Sequence, residues 1–301
     1  MKERRLSSIL EMDENIKVYK DGNYNSLGFI KEHEKERLLV FLNDEKYLSD
    51  LEKNPNISCV ICSENILEKI KNKDIGICIA NDPKITFYRL HNYLAKNTEF
   101  YGKNFSSQIS KTAHIHPTAY VSDQNVIIKD GVKIGPNVTI LDNVYIGEDT
   151  IIRAGCVIGT EGFQFARIED DILPIVHAGK VIIHDHIEFQ ANCCVSKGIF
   201  GEATEIGQKC KFDNLVHIAH GVRMGKRCLV AANAMIAGYT TIGDDVWIGP
   251  SASISNMIYI GDGANITIGA VVTKNVGDRQ SVSGNFAIDH DRFISFLKSI
   301  R

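Results

Sequence analysis

The fold is decided by the stretch IGQKCKFDNLVHIAHGVRMGKRCLVAANAMIAGYTTIGDDVWIG, residues 206–249. A large apolar residue returns at every sixth position of this stretch, and the series continues without a break to Val272. Its members are Ile206, Phe212, Ile218, Met224, Val230, Ile236, Ile242, Ile248, Ile254, Ile260, Ile266 and Val272. An amphipathic helix would repeat every 3.6 residues and a half-buried strand every 2, so a period of six indicates neither.

The same period occurs earlier in the chain, in shorter series. They comprise Ile109, Ile115 and Val121; then Ile128, Ile134, Ile140, Ile146, Ile152 and Ile158; then Ile183, Phe189 and Val195. The pattern predicts a mainly β solenoid of short parallel strands, with one inward side chain per strand and a corner at each end. Three such strands close a triangular coil of about 18 residues, and successive coils stack about 4.8 Å apart.

The repeat also divides the chain. Residues 1–100 lack it, whereas residues 101–276 are predicted to form the β-helix, with an inserted loop at residues 160–180. Residues 277–301 are predicted as a turn followed by a short helix that Asp289 caps.

The region before the repeat has a different pattern, in which short apolar runs alternate with helical segments. Strands are predicted at residues 38–42, 57–62 and 75–80, and helices are predicted to begin near Asp44, Glu64 and Pro83. Alternating strands and helices predict a small α/β domain.

Composition limits the classes of function. Apolar residues make up 44% of the 301 residues and charged residues 24%, and the formal net charge is −3, so we expect no nucleic-acid partner. No apolar run is long enough for a signal peptide or a transmembrane segment, and we expect a cytoplasmic protein. The eight cysteines lie in apolar runs and are interpreted as buried thiols.

The chemistry is predicted at one histidine in the repeat. His220 lies two residues after the inward Ile218, at an exposed corner, and Gly238 follows 18 residues later. In a three-sided prism this spacing puts Gly238 beside His220, one coil along. A base next to an unobstructed main-chain N–H is suited to attack by an amine on a thioester. Asp213 is predicted to orient the imidazole, and no metal or bound cofactor is expected.

The other histidines have plainer interpretations. His217, next to the inward Ile218, is interpreted as a packing residue. His184 and His186 alternate along a strand, and we interpret them as solvated corner residues rather than ligands, while His114 and His116 are interpreted as structural.

These motifs resemble the hexapeptide-repeat acyltransferases, and the resemblance implies that the prism is a left-handed parallel β-helix. Within that group the chain is similar to the UDP-3-O-(3-hydroxyacyl)glucosamine N-acyltransferases of lipid A synthesis. The similarity rests on four stretches: FLNDEKY at 41–47, GFQFA at 162–166, DNLVHIAH at 213–220 and Ala237-Gly238.

The resemblance implies a role for each of the matching residues. It makes His220 the general base, Gly238 the oxyanion donor, and Asp213 and Asn214 residues of the same site. It makes residues 1–100 a nucleotide-binding domain in which Phe41 and Tyr47 hold the uracil. It also implies a homotrimer with sites between subunits.

Three departures from the family pattern concern the substrate. The family's Asp-Arg-Gly is here Ser196-Lys197-Gly198, and a second histidine is replaced by Met257, with Asn256 beside it. Asp44 stands where the family has an asparagine.

The resulting prediction is an N-acyltransferase for a UDP- or dTDP-linked amino sugar in lipopolysaccharide or surface-glycan synthesis. The acyl group, of the 3-hydroxyacyl type, would come from acyl-CoA or acyl carrier protein, with Arg223 and Lys226 as candidate donor-binding residues. The alternatives are the lipid A enzyme itself, a zinc hydratase of the γ-carbonic-anhydrase type, and a non-catalytic trimeric binder of sugar nucleotides.

Overall fold

A computed structural model describes residues 3–12, 16–284 and 287–300. From Gln108 to Val282 the chain winds into a three-sided left-handed parallel β-helix, so the predicted fold class is confirmed. Its inner apolar column contains the periodic residues, among them Ile218, Ile236 and Ile254, which are fully buried.

The three faces of the prism are parallel sheets, called here faces A, B and C. Face A comprises Gln108–Ile109, Val126–Ile128, Val144–Ile146, Lys180–Ile183, Ala203–Ile206, Arg223–Met224, Thr241–Ile242 and Tyr259–Ile260. Face B comprises His114–Ile115, Lys133–Ile134, Ile151–Ile152, Glu188–Phe189, Lys211–Phe212, Leu229–Val230, Trp247–Ile248, Asn265–Ile266 and Ser281–Val282. Face C comprises Tyr120–Val121, Thr139–Ile140, Val157–Thr160, Cys194–Ser196, His217–Ile218, Met235–Ile236, Ser253–Ile254 and Val271–Val272.

Left-handed backbone at the corners lets such short strands turn. A residue with positive φ stands three positions after the inward residue, as in Asn143 (φ 61°), Asn233 (φ 60°) and Asp245 (φ 58°). Asn and Asp tolerate this conformation better than other residues with a Cβ, and several corners use Gly instead. The residues that form the corners therefore recur with the same six-residue period as the inward residues of the core.

Two interruptions break the regular spacing of the coils. Ile218 pairs with Ile236, 18 positions on, but Ile146 pairs with Ile183 because residues 160–180 leave the wall. Part of that insertion is an antiparallel hairpin of Phe165–Ile168 and Asp171–Pro174. A second, shorter loop at residues 197–201, which the sequence pattern did not reveal, separates the paired residues Ile183 and Ile206.

The region before the prism contains a five-stranded sheet with helices. Its elements are the strands Lys17–Lys20, Ser26–Leu27, Leu38–Leu42, Ile57–Cys62 and Gly76–Ile79, and the helices α1 (Leu48–Lys53), α2 (Glu64–Ile70) and α3 (Pro83–Asn97). A separate two-stranded sheet, Arg4–Arg5 and Asn23–Tyr24, and the 3-10 helices Leu6–Glu11 and Glu45–Tyr47 complete it. Asp82 caps α3 by accepting a hydrogen bond from Ile85 N, as the Asp-Pro start of this helix predicts.

Both interruptions of the prism pack against this α/β region. Phe200, in the shorter loop, is 1% exposed and contacts the rings of Phe29, Phe87 and Tyr88. The longer insertion is bound to α3 by Asn92, whose amide donates to Pro174 O and accepts from Val176 N. The two interruptions and the α/β region therefore share one apolar cluster, separate from the core of the prism.

A buried ion pair lies in the same interface. Lys35 Nζ is 2.8 Å from Glu202 Oε2, and Glu202 also accepts hydrogen bonds from Ile199 N, Phe200 N and Tyr239 OH. Burial alone would raise the pKa of Glu202, but Lys35 and these hydrogen bonds lower it to about 2. The carboxylate is therefore charged at neutral pH and matched by its partners.

The chain ends in a helix, α4 (His290–Ser299), capped by Asp289, which accepts from Asp291 N and Arg292 N. Its apolar residues Phe293 and Phe296 are exposed. Across the described ranges, no helix combines the length and the apolar character needed to cross a bilayer.

Replacing Lys35 by Met should destabilise the protein because Glu202 would stay buried without its cation. We expect the free energy of unfolding at pH 7 to fall by about 3–5 kcal/mol, measured by chemical denaturation. Lys31→Met is the matched control: Lys31 is 74% exposed and lies 3.9 Å from Asp50, so its removal should cost less than about 1 kcal/mol. Equal losses in the two variants would contradict the role given to Lys35.

Candidate active site

One edge of the prism, where faces C and A meet, carries the predicted base. Face C aligns Val195 with Ile218, Ile218 with Ile236, and Ile236 with Ile254. The residues two positions further on therefore form a column along this edge: Lys197, His220, Gly238 and Asn256. We call it the C–A column.

His220 and Gly238 are in direct contact within this column. A Cβ on residue 238 would lie 2.6 Å from His220 Nε2 and 2.9 Å from Cδ2, so only a glycine leaves room for the imidazole in this position. Within the described residues, no acceptor is paired with the main-chain N–H of Gly238. A basic nitrogen and an available N–H donor thus flank one point on the surface of the prism.

The protonation state of His220 follows from its surroundings. Burial lowers its pKa to about 4, and the neighbouring His177 acts in the same direction. The imidazole is therefore neutral near pH 7 and able to accept a proton.

Within one chain Asp213 does not contact this imidazole, and its orienting role stays a prediction. Asp213 lies at the preceding corner, between faces B and C, where its Oδ1 accepts from Asn214 N and Nδ2, both at 2.7 Å. His220 Nδ1 is buried and has no hydrogen-bond partner in the described part of the chain. Asn214 is engaged as well, because its Oδ1 accepts from Ala191 N.

The two aromatic residues predicted to hold the uracil, Phe41 and Tyr47, lie near the end of strand Leu38–Leu42, but in different surroundings. Phe41 is half-buried and packs on Phe87 and Tyr88, with ring centroids 5.2 and 6.1 Å away. Tyr47 is 38% exposed, with Lys46 Nζ 4.9 Å from its ring centroid. Tyr47 is accordingly accessible to a ligand, whereas Phe41 belongs mainly to the core.

The predicted donor-binding residues line a cavity of about 460 Å³ against face A. Arg223 forms an ion pair with Glu34 of the α/β region. Lys226 shares the cavity with Glu205 and Asp244, whose carboxylates oppose the binding of an anion. Because Arg223 is already paired with Glu34, Lys226 is the better candidate of the two for binding the donor, even with these carboxylates beside it.

The chain is similar to known proteins in its repeat and, with some relatives, over most of its length. The chain matches the model of the bacterial transferase hexapeptide (six repeats) over residues 125–160 and 203–238. The UDP-3-O-acylglucosamine N-acyltransferase of Helicobacter hepaticus is 30% identical over 300 residues, covering 87% of this chain and 85% of that protein. The protein of the same name from Campylobacter lari is 34% identical over 240 residues, covering 73% of this chain and 74% of that protein.

The chain belongs to the family of the UDP-3-O-acylglucosamine N-acyltransferases.

Other family members align over less of their length. The protein of Caulobacter sp. strain K31 is 40% identical, and that of Wolinella succinogenes 34%. The chain spans 41% and 53% of these two relatives. A solved UDP-N-acetylglucosamine acyltransferase is 24% identical, covering 64% of this chain and 79% of that one, with a TM-score of 0.49.

The structure shows where two of the three departures from the family pattern lie. Lys197, which stands in the C–A column before His220, is buried and donates to Asp142 Oδ1 at 3.0 Å. Asn256, rather than Met257, continues the column beyond Gly238. Met257 has a positive φ of 58° and is 57% exposed at the adjacent corner position.

Sequence reasoning missed three residues around His220. The Tyr239 ring lies 5.4 Å from the imidazole centroid, and the His177 ring lies 5.3 Å away. A Cβ on Gly162 would lie 2.6 Å from a nitrogen of each imidazole. His177 and Gly162 belong to the insertion, where the period gives no positional signal, but Tyr239 follows Gly238 directly and could have been found from the column.

The imidazole of His220 should titrate near pH 4, well below the ordinary histidine value near 6.5, because burial disfavours its charged form. Heteronuclear NMR of the ¹⁵N-labelled protein measures this, and the spectrum of His220→Gln assigns the signal. A midpoint near 6.5 would show that the ring is not held in the position described.

Gly238→Ala should displace the imidazole while the coil persists, since the clash is with a side chain. We expect acyl transfer to fall by about 100-fold or more, because a shift of about 1 Å in a reacting group has that effect. Gly277→Ala is the control, with its nearest contact at 3.5 Å. The release of thiol from an acyl thioester measures both, and equal rates in the two variants would refute the contact.

Proposed function

We propose that this chain transfers an acyl group from a phosphopantetheine thioester to the amine of a nucleotide-linked amino sugar. The observation that carries the proposal is the contact between His220 Nε2 and Gly238, whose N–H is available. Membership of an N-acyltransferase family supports it.

The reaction would proceed in two steps. The amine attacks the thioester carbonyl as its proton passes to His220 Nε2, and the Gly238 N–H stabilises the oxyanion that forms. Collapse of this intermediate breaks the carbon–sulfur bond and forms the amide. The imidazolium then returns its proton to the leaving thiolate, so His220 ends neutral.

The acceptor would be a UDP-linked glucosamine that already carries a 3-O-acyl chain. Two relatives named for this substrate are matched over 85% and 74% of their own length, which favours this substrate over a dTDP-linked sugar. Tyr47 and the partly exposed Phe41 would contact the uracil, and Asn256 would face the sugar from the C–A column. The product would then serve lipid A synthesis.

The donor would be acyl carrier protein or coenzyme A, carrying a 3-hydroxyacyl group, and neither a metal nor a resident cofactor takes part in these steps. Lys226, which lines the cavity against face A, would bind a phosphate of the pantetheine arm. Coenzyme A and acyl carrier protein present the same thioester on the same phosphopantetheine arm. They differ in the group attached to the other end of that arm, a nucleotide or a protein.

The working form would be a homotrimer. Several large apolar side chains are exposed around the edge between faces B and C: Leu215, Leu229, Met235, Trp247, Ile268 and Val271. A concentration of exposed apolar side chains on one side of a protein is typical of a protein interface. Because face C also borders the C–A column, a protomer packed there would close one side of the site.

The zinc hydratase alternative lacks support from the residues. In the described ranges, no three His, Cys, Asp or Glu side chains are grouped so that they could hold a metal ion. His184 pairs with Glu205 at 2.7 Å, and His186 lies 3.7 Å from Asp149, so both have plainer roles. A sugar-nucleotide binder without catalysis is the remaining alternative, and the experiment below separates it.

His220→Ala should lower the rate of amine acylation by about 10²- to 10⁴-fold, the usual contribution of a general base, with the trimer intact. The assay follows thiol release with UDP-glucosamine, with and without a 3-O-acyl chain, and with dTDP-amino sugars, each with acyl-CoA and acyl carrier protein. His114→Gln, on the first coil, is the control, and light scattering reports the mass. Unchanged turnover in His220→Ala would refute the base, and binding without turnover in the wild type would favour the non-catalytic alternative.

A further inference from the structure

A second buried histidine, His177, faces His220 from the insertion. It follows the hairpin strand Asp171–Pro174 and is 1% exposed. The two imidazoles meet edge to face, with centroids 5.3 Å apart and planes at 66°. The reaction steps proposed above do not use His177.

Each of these rings has a buried nitrogen without a partner among the described residues: His177 Nε2 and His220 Nδ1. A buried polar atom left unpaired costs about 1–3 kcal/mol, so a pair of them in one place calls for an explanation. Both nitrogens lie 2.6 Å from the position that a Cβ on Gly162 would occupy. They therefore border the same small space beside a bare Cα, and one water molecule can bridge them.

The opposite side of His177 determines where its proton lies. Its Nδ1 is 3.2 Å from Ile175 O and 3.4 Å from Glu161 Oε2, and both of these atoms are acceptors. The hydrogen bond to His177 lowers the pKa of Glu161, so this carboxylate is charged at neutral pH. Nδ1 of His177 must then carry the proton, and its Nε2 presents a lone pair toward His220.

We propose that His177, held by Glu161, is a positioning residue that fixes the tautomer of His220. The lone pair of His177 Nε2 accepts, through one bridging water, the hydrogen bond donated by His220 Nδ1–H. His220 Nε2 is then left unprotonated against Gly238, as a base requires. The chain Glu161–His177–His220 thus takes the place that the sequence assigned to Asp213. This inference rests on the proposed function.

Other groups also face His220 and enter any pH dependence. Tyr239 contacts the ring and donates to Glu202, and His217 lies on the adjoining strand. Glu202 favours the imidazolium, while His177 and His217 oppose it. None of these groups accepts a hydrogen bond from His220 Nδ1 within the described residues, so the tautomer depends on His177.

The test is the tautomer of His220, read from its ¹⁵N ring shifts at pH 7 in the ligand-free protein. We expect Nδ1–H in the wild type and in the control His114→Gln, and a mixture of both tautomers in His177→Ala. In His177→Ala kcat should fall about 10- to 100-fold with KM nearly unchanged, the size of effect seen for an outer partner that orients a histidine. His177→Gln, whose amide oxygen can accept the same hydrogen bond, should restore most of both.

His177→Leu keeps the inference open to refutation if His177→Ala does not fold. Leucine fills much of the same buried space and cannot accept a hydrogen bond, so this variant should also show a mixture of both tautomers of His220. An unchanged Nδ1–H tautomer in either variant would overturn the role of His177. The NMR result does not depend on turnover, so a failure of the proposed function would instead show as full activity in His220→Ala.

Discussion

Main-chain hydrogen bonds between successive coils set the positions of the side chains along every edge of the prism. Tyr239 N donates to His220 O, and Met257 N donates to Gly238 O, so residues 18 positions apart stack directly. The ladder depends on one inward apolar residue per side and on a left-handed residue at most corners. Once these are present, the contact of His220 with Gly238 follows from register alone, without any interaction specific to the site.

The coil by itself supplies only half of the site. Both departures from its regular spacing bring in residues outside the repeat: Gly162 and His177 in one case, and Phe200, followed closely by Glu202, in the other. These residues connect the wall to the α/β region through Lys35 and through α3. Glu202 also holds the Tyr239 hydroxyl, which places the ring beside the imidazole. The irregular segments thus link the domain that would bind the nucleotide to the edge that would perform the chemistry.

The sequence was a good guide wherever a period or a local rule determined the structure. The six-residue spacing of apolar residues predicted the prism, and the Asp82-Pro83 pair predicted the start of α3. It was a poor guide where contacts join distant parts of the chain. Asp213 lies seven positions before His220, yet a strand of face C separates them, whereas His177 is far away in sequence and packs against the ring. No local pattern records which side of a fold an insertion will cover, and Phe200 shows the same for the second loop.

The Lys35–Glu202 pair has a consequence for how substrates are admitted. Swinging the α/β region away from the prism would expose the aromatic interior and separate two buried charges, a cost of several kcal/mol. A hinge that opens and closes around each ligand is therefore not available at this boundary. With the nucleotide at Tyr47 and the amine at His220, as proposed, the span between these two residues would be set before any ligand arrives. Molecules of the wrong reach would be turned away by length alone.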